Sequence, residues 1–188
     1  MRRRRLLETM SAGAVAGLAG CGGSNGETSA SLRVSSDPLE ADGTLPVRFT
    51  CDGAGQSPPF VIDSVPGPTA ALAVIAEYDR GVINEPVFWT LWNVPPDTER
   101  IPAGLARTAQ LSSLGGAGQG RRVGDEVGYE PPCPPAGQYY EHRFQVYALR
   151  DRLGIEGGTD HETATERIGD AVLASVRFTV DYRRTETG

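Results

Sequence analysis

The chain contains no lysine; all eighteen basic residues are arginine, set against twenty-four acids for a net charge of −6. An acidic surface repels phosphates, which argues against nucleic acid as a partner. Acidity without lysine points to a salt-loving prokaryote with GC-rich coding, a halophilic archaeon. The sequence has no HExxH pair, no P-loop, no dinucleotide fingerprint and no nucleophile elbow. With only two histidines and three cysteines, little material remains for side-chain catalysis. No apolar run is long enough to span a membrane comfortably.

The amino terminus reads as an export leader. Arg2 to Arg5 form a positive start, Leu6 and Leu7 follow, and Ala12 to Ala19 is small and apolar. The arginines before Leu-Leu are compatible with twin-arginine export. Leu18-Ala19-Gly20-Cys21 is similar to a lipoprotein signal box, in which the Cys21 thiol takes a lipid and becomes the mature terminus. Residues 21–31 then supply a Gly/Ser/Asn/Glu/Thr tether. Removing residues 1–20 leaves fourteen arginines against twenty-three acids, a charge of −9. The expected address is the outer face of the cell membrane, held through Cys21.

Two cysteines then remain, Cys51 and Cys133, both in Pro/Gly-rich loops. In an exported protein they are expected to bridge, the alternative being two unpaired thiols. They lack the local pair spacing of a metal site.

Strand signals dominate from Leu32 onward. Leu32 and Val34 alternate with polar neighbours, and Val47 to Thr50 alternates again before the turn Cys51-Asp52-Gly53. Ser57-Pro58-Pro59 reads as an extended rim loop. Ala70 to Ala76 is apolar throughout, as in a strand buried on both faces. Val87 to Val94 is a further strand that stops at Pro95-Pro96. Leu105 to Gly128 reads as a long, irregular glycine-rich loop of the kind that carries function. Phe144 to Leu149 is a strand. Thr159-x-x-Glu162 matches a capping box, with Ala164, Ile168, Ala171 and Val172 along one helical face. Val176, Phe178, Val180 and Tyr182 form the clearest half-buried strand. The expected fold is mainly β, a sandwich with small helical additions, over residues 32–184, with a short tail at 185–188.

His161 lies between Asp160 and Glu162 and reads as a solvated surface residue. His142 enters a strand, sharing one face with Phe144 and Val146. Glu77 and Asp79 follow the buried run at a spacing of two and point the same way. They could bind a cation, accept bonds from a ligand, or remain ordinary solvated acids.

Several pieces occur together in order: Thr50-Cys51-Asp52-Gly53 with Ser57-Pro58-Pro59; Leu72 to Asp79; Trp89 to Pro95; Gly128-Tyr129; and Pro132-Cys133-Pro134-Pro135-x-Gly137 leading to His142-Arg143. The ordered set resembles the phosphatidylethanolamine-binding protein family, in its Raf kinase inhibitor-like branch, across essentially the whole mature domain. The resemblance implies two antiparallel sheets and a small anion pocket at one end. The pocket would be lined by an Asp-Pro-Asp-Ala-Pro segment, a histidine at the tryptophan strand and a His-Arg-Tyr triplet. Here Glu77-Tyr78-Asp79 replaces the first, Phe88 stands for the histidine, and Phe144 replaces the tyrosine. Each hydrogen bond lost to a charged ligand removes about 1.5–3 kcal/mol.

The expected site therefore comprises Glu77, Asp79, Phe88, Pro132, His142 and Phe144, with neither cofactor nor metal. It would take a small anionic or amphipathic ligand in a more apolar pocket, and the protein would not be an enzyme. Two alternatives stand beside it. One is a protein-interaction or protease-inhibitor module using Gly115 to Gly128 against a protein partner. The other is a hydrolase with His142 as base.

Overall fold

From Ala71 to Ala76 every side chain is apolar, so a strand there has two faces to keep from water and needs a packing layer on each. In the computed structural model, which describes residues 31–79, 86–122 and 126–185, this stretch opens strand β3 (Ala71–Asp79). The leader, Cys21, nearly all of the tether and residues 186–188 lie outside the described residues.

The strands in chain order are β1 (Arg33–Ser35), β2 (Phe60–Ser64), β3, β4 (Val87–Val94), β5 (Arg100–Ile101), β6 (Gln110–Leu111), β7 (Ala117–Gln119), β8 (Tyr139–Leu149) and β9 (Val172–Arg183). Helix α1 is Asp37–Glu40 and α2 is His161–Ala171. They form two antiparallel sheets, β1-β2-β5 and β6-β7-β4-β3-β8-β9. This is the expected β-sandwich with small helical additions.

One face of the large sheet meets the small sheet. Leu72, Val74 and Ala76 of β3, Phe144 and Val146 of β8, and Phe178 and Val180 of β9 line the core between them. The opposite face is covered by α2, whose Ala164, Ile168 and Ala171 pack on Ala73, Ile75, Trp92 and Leu149. Strand β3 is thus buried on both sides. Gly118 of β7 allows this close packing, because a Cβ there would lie 2.5 Å from the Trp92 indole.

Four local expectations are corrected. Val47–Phe49 is a 3-10 helix rather than a strand, because Pro46 opens a turn closed by Thr50 N–H donating to the Val47 carbonyl (3.0 Å). The stretch 105–128 is not an irregular loop: β6, the 3-10 helix Ser112–Leu114 and β7 wind it onto the edge of the large sheet. Residues 123–125 of that stretch lie outside the described residues. The cap of α2 is Asp160, not Thr159; its carboxylate accepts from the Thr163 N–H (2.8 Å) and hydroxyl (2.9 Å). Val172 begins β9 rather than ending the helix.

Cys51 and Cys133 form a disulfide closing a separation of 82 residues. In the chain-entropy model a loop of that size stabilises by about 4.5 kcal/mol. Replacing both cysteines by serine should lower the urea-unfolding free energy by about that amount; a loss under about 1 kcal/mol would show that the cross-link contributes little.

Candidate functional site

Side chains alternate between faces along a strand, and the register sets which residues meet. Tyr78 pairs with His142, Ala76 with Phe144, and Glu77 with Arg143. Tyr78, His142 and Phe144 therefore face the core between the sheets, while Glu77 and Arg143 face the other way.

Phe88 joins the first group through a bulge. The β3–β4 register passes from Ala76↔Trp89 to Glu77↔Val87, leaving Phe88 as the extra residue. A bulge re-aims side chains. The consecutive residues Phe88 and Trp89 both turn into the core, at 1% and 0% exposure.

The result is a closed aromatic cluster at one end of the sandwich. Phe88 lies 4.7 Å from Tyr78, 5.7 Å from Phe144, 5.9 Å from Tyr129 and 6.0 Å from His142, centroid to centroid. The Tyr78 ring meets His142 at 5.1 Å and Tyr140 at 6.3 Å. Most of these contacts are edge-to-face, the arrangement that ring quadrupoles favour. Tyr129 anchors the cluster by donating its hydroxyl to the Phe49 carbonyl (2.8 Å). It also walls a cavity of about 290 Å³ lined by Arg107, Arg122, Glu126, Val127, Gly128 and Glu130.

His142 is fully buried; the backbone at Tyr140 and Val180 approaches its ring, but neither ring nitrogen reaches hydrogen-bond geometry with a partner among the described residues. Burial pushes its pKa down to about 4; the backbone at Tyr140, the Asp181 carboxylate and the backbone at Val180 act the other way. At neutral pH the ring is therefore uncharged. It can offer one donor and one acceptor, and no positive charge for an anion.

The expected site residues do not all come together. Phe88, His142 and Phe144 do. Glu77 lies on the opposite face, its Oε1 3.7 Å from Arg143 Nη1, so it serves an ion pair at the sheet surface. Asp79 pairs in register with Glu141; its side chain lies outside the described residues. Pro132 is buried at the rim, where its carbonyl accepts from the Cys51 N–H (3.1 Å) beside the disulfide. Asp52 ties the same rim to the end of β9, accepting from Tyr182 Oη (2.5 Å) and Arg184 Nε (3.0 Å). The tyrosine bond, with lesser help from Arg184, holds its carboxyl below the usual range against the opposing effect of burial.

Sequence reasoning missed Tyr78 and Tyr129. Tyr78 was legible in principle, since alternation places it with Ala76 and not with Glu77.

His161 is also corrected. It is 8% exposed, its Nδ1 shares a hydrogen bond with Thr90 Oγ1 (3.0 Å), and burial pushes its pKa down to about 4. Gly120 makes this possible, because a Cβ there would lie 2.0 Å from Thr90 Oγ1 and 2.4 Å from His161 Nδ1.

The sequence model of the phosphatidylethanolamine-binding protein family matches residues 35–183. The chain belongs to the phosphatidylethanolamine-binding protein family. A UPF0098 protein of Methanothermobacter thermautotrophicus is 33% identical over 142 residues, 76% of this chain and 92% of that one. A solved phosphatidylethanolamine-binding protein homologue of Chlamydia trachomatis is similar with a TM-score of 0.67 and 26% identity, over 82% of this chain and 98% of the other. A Mycobacterium tuberculosis protein named as a lipoprotein, LppC, is 29% identical over 197 residues, 93% of this chain and 94% of that one.

Against the family pattern set out from the sequence, this phosphatidylethanolamine-binding protein relative keeps His142-Arg143 but fills the neighbouring positions with Phe88 and Phe144. The two residues of the pair point to opposite faces, so only His142 serves the cluster.

Both histidines bear on stability. Their folded pKa values near 4 lie below the unfolded value of about 6.5, so the unfolded chain binds protons first as pH falls. Stability from these groups is complete above that value and declines below it. Between about pH 7.5 and 5.5 the loss should be about 1.3 kcal/mol per histidine, and His142→Phe should remove about half of the total. Urea titrations at the two pH values measure it; equal stability at both would overturn the assignment.

Proposed function

We propose that the protein is a non-enzymatic binding protein of the phosphatidylethanolamine-binding type whose ligand is small and amphipathic rather than a simple phosphate. The observation that carries this is His142: uncharged, buried among Tyr78, Phe88 and Phe144, and without a hydrogen-bond partner among the described residues. A buried polar group left unpaired costs about 1–3 kcal/mol, and native proteins retain few of them. A guest that displaces the Tyr78 or Phe88 edge and hydrogen-bonds the imidazole recovers that cost, while its apolar part replaces the lost ring contacts. A neutral imidazole gives a bare anion little to bind.

Isothermal titration with dihexanoyl phosphatidylethanolamine and with inorganic phosphate tests this. The amphiphile should bind saturably and phosphate should be at least about tenfold weaker, the equivalent of one charge-assisted bond. His142→Phe should abolish amphiphile binding without unfolding the protein, and Phe88→His should strengthen phosphate binding. Phosphate bound as tightly as the amphiphile, or amphiphile binding unchanged by His142→Phe, would defeat the reading.

We also propose export and anchoring through Cys21 at the outer membrane face. The leader pattern of residues 1–21 and the likeness to LppC over 93% of the chain support it. Mass spectrometry of the membrane-bound protein should find a mature terminus at Cys21 with a lipid on its thiol. Cys21→Ser should shift the protein to the soluble fraction; an uncleaved terminus, or membrane association unaffected by the substitution, would refute it.

A further inference from the structure

A second cavity, of about 260 Å³, lies beside the amino-terminal end of α2 and is lined by Val87, Arg121, Arg122, Asp160, His161 and Glu162. Its apolar wall is Val87, which packs on the cluster formed by Ala164, Ile168 and the outer face of the large sheet. None of the rings around His142 lines it.

His161 is 8% exposed, and its Nδ1–Cε1 edge is turned inward. Nδ1 meets Thr90 Oγ1 at 3.0 Å, and a Cβ on Gly120 would stand 2.4 Å from Nδ1 and 2.9 Å from Cε1. The edge that carries Nε2 is left to the cavity. Nε2 has no hydrogen-bond partner among the described residues and, unlike the two nitrogens of His142, is not sealed from solvent.

Thr90 fixes which nitrogen holds the proton. The threonine is fully buried, and the one described contact of its hydroxyl is His161 Nδ1. If Nδ1 carried the proton, the hydroxyl hydrogen would be left without an acceptor in the interior, a costly arrangement. The hydroxyl therefore donates to Nδ1, and Nε2 presents an N–H to the cavity.

The groups around Nε2 favour a negative charge. Helix α2 is eleven residues long, and its amino terminus carries positive partial charge. In its first turn the His161 N–H donates to the Arg121 carbonyl (3.2 Å), Thr163 N–H to Asp160 (2.8 Å) and Ala164 N–H to the Asp160 carbonyl (3.0 Å). The Glu162 N–H has no described acceptor. Both carboxylate oxygens of Asp160 are held by Thr163 in the cap. Arg122, although paired with Glu130, lowers the His161 pKa more than Asp160 raises it.

We propose that this cavity is a second binding site, selective for a small monocarboxylate with a short apolar chain. One carboxylate oxygen accepts from His161 Nε2–H and the other from the Glu162 N–H. Arg122 supplies the counter-charge, and the chain lies on Val87. A cation would need a lone pair at Nε2, which the Thr90 bond denies it. The acids Asp160 and Glu162 limit the charge that fits, so a monoanion is preferred to phosphate.

Butyrate and its neutral counterpart butyramide test this against the 15N-labelled full chain at pH 7.5. The chain has two histidines, so one set of imidazole 15N–1H correlations reads both sites. Before ligand is added, the His161 ring should be protonated on Nε2. Butyrate should shift the His161 signals saturably and leave those of His142 in place, while butyramide binds at least about tenfold more weakly, as the loss of a charge-assisted bond requires. Arg122→Gln alters a half-exposed side chain and should weaken butyrate binding at least about tenfold, with unchanged His142 signals reporting an intact fold. A ring protonated on Nδ1, butyramide binding as tightly as butyrate, or butyrate affinity undiminished in Arg122→Gln would overturn the proposal. So would a butyrate shift absent from His161 or found at His142 in its place.

Discussion

The double burial of β3 is the constraint on which the rest of the molecule depends. Six consecutive apolar residues cannot face water on either side, so the strand requires the small sheet on one face and α2 on the other. The pairing of β3 with both β4 and β8 then fixes, residue by residue, what faces inward at the end of the sandwich. Ala76 brings Phe144 opposite, and Tyr78 brings His142. The candidate site is an inward-facing layer of that core, carried one step past the apolar run.

This origin accounts for the character of the site. Polar groups at such a layer stay solvated only if the neighbouring side chains leave room for water. Phe88, swung inward by the β4 bulge, fills that room, and Phe144 adds no hydroxyl. The imidazole is thereby desolvated rather than displayed. Desolvation, not a neighbouring charge, dominates its titration. A substitution at residue 88 thus acts twice, removing a hydrogen-bond donor and raising the cost of charge on His142.

Much of the fold was legible because periodicity is a local property. The apolar run of β3, the aromatic run of β4 and the alternation of β9 each stand in a few consecutive residues. What escaped depends on distant partners. His161, flanked by two acids, has every local sign of solvation, yet Gly120 leaves the space in which it bonds Thr90. Val47 to Phe49 alternates like a strand but follows a proline that starts a turn. The glycine-rich stretch after Leu105 carries two short strands that only an existing sheet edge could order. Phe88 and His142, named from motif order, come together in the structure, whereas Glu77, named with them, faces the other way. The facing of Phe88 is set by a cross-strand bulge that the local pattern does not show, whereas alternation alone separates Glu77 from Ala76 and Tyr78.

The disulfide has a mechanical consequence. Cys51 and Cys133 enclose β2 to β7 within one covalent loop, while β1, α1 and the Val47–Phe49 turn lie outside it on the amino-terminal side. Tension applied at Ser31 peels those outer elements first. Once it reaches Cys51 the load passes through sulfur to Cys133, at the entrance to β8, and by-passes β3 and β4. β3 and β4 are shielded from force that enters through the amino terminus, whereas β8, which carries His142 and Phe144, lies outside the loop and receives it.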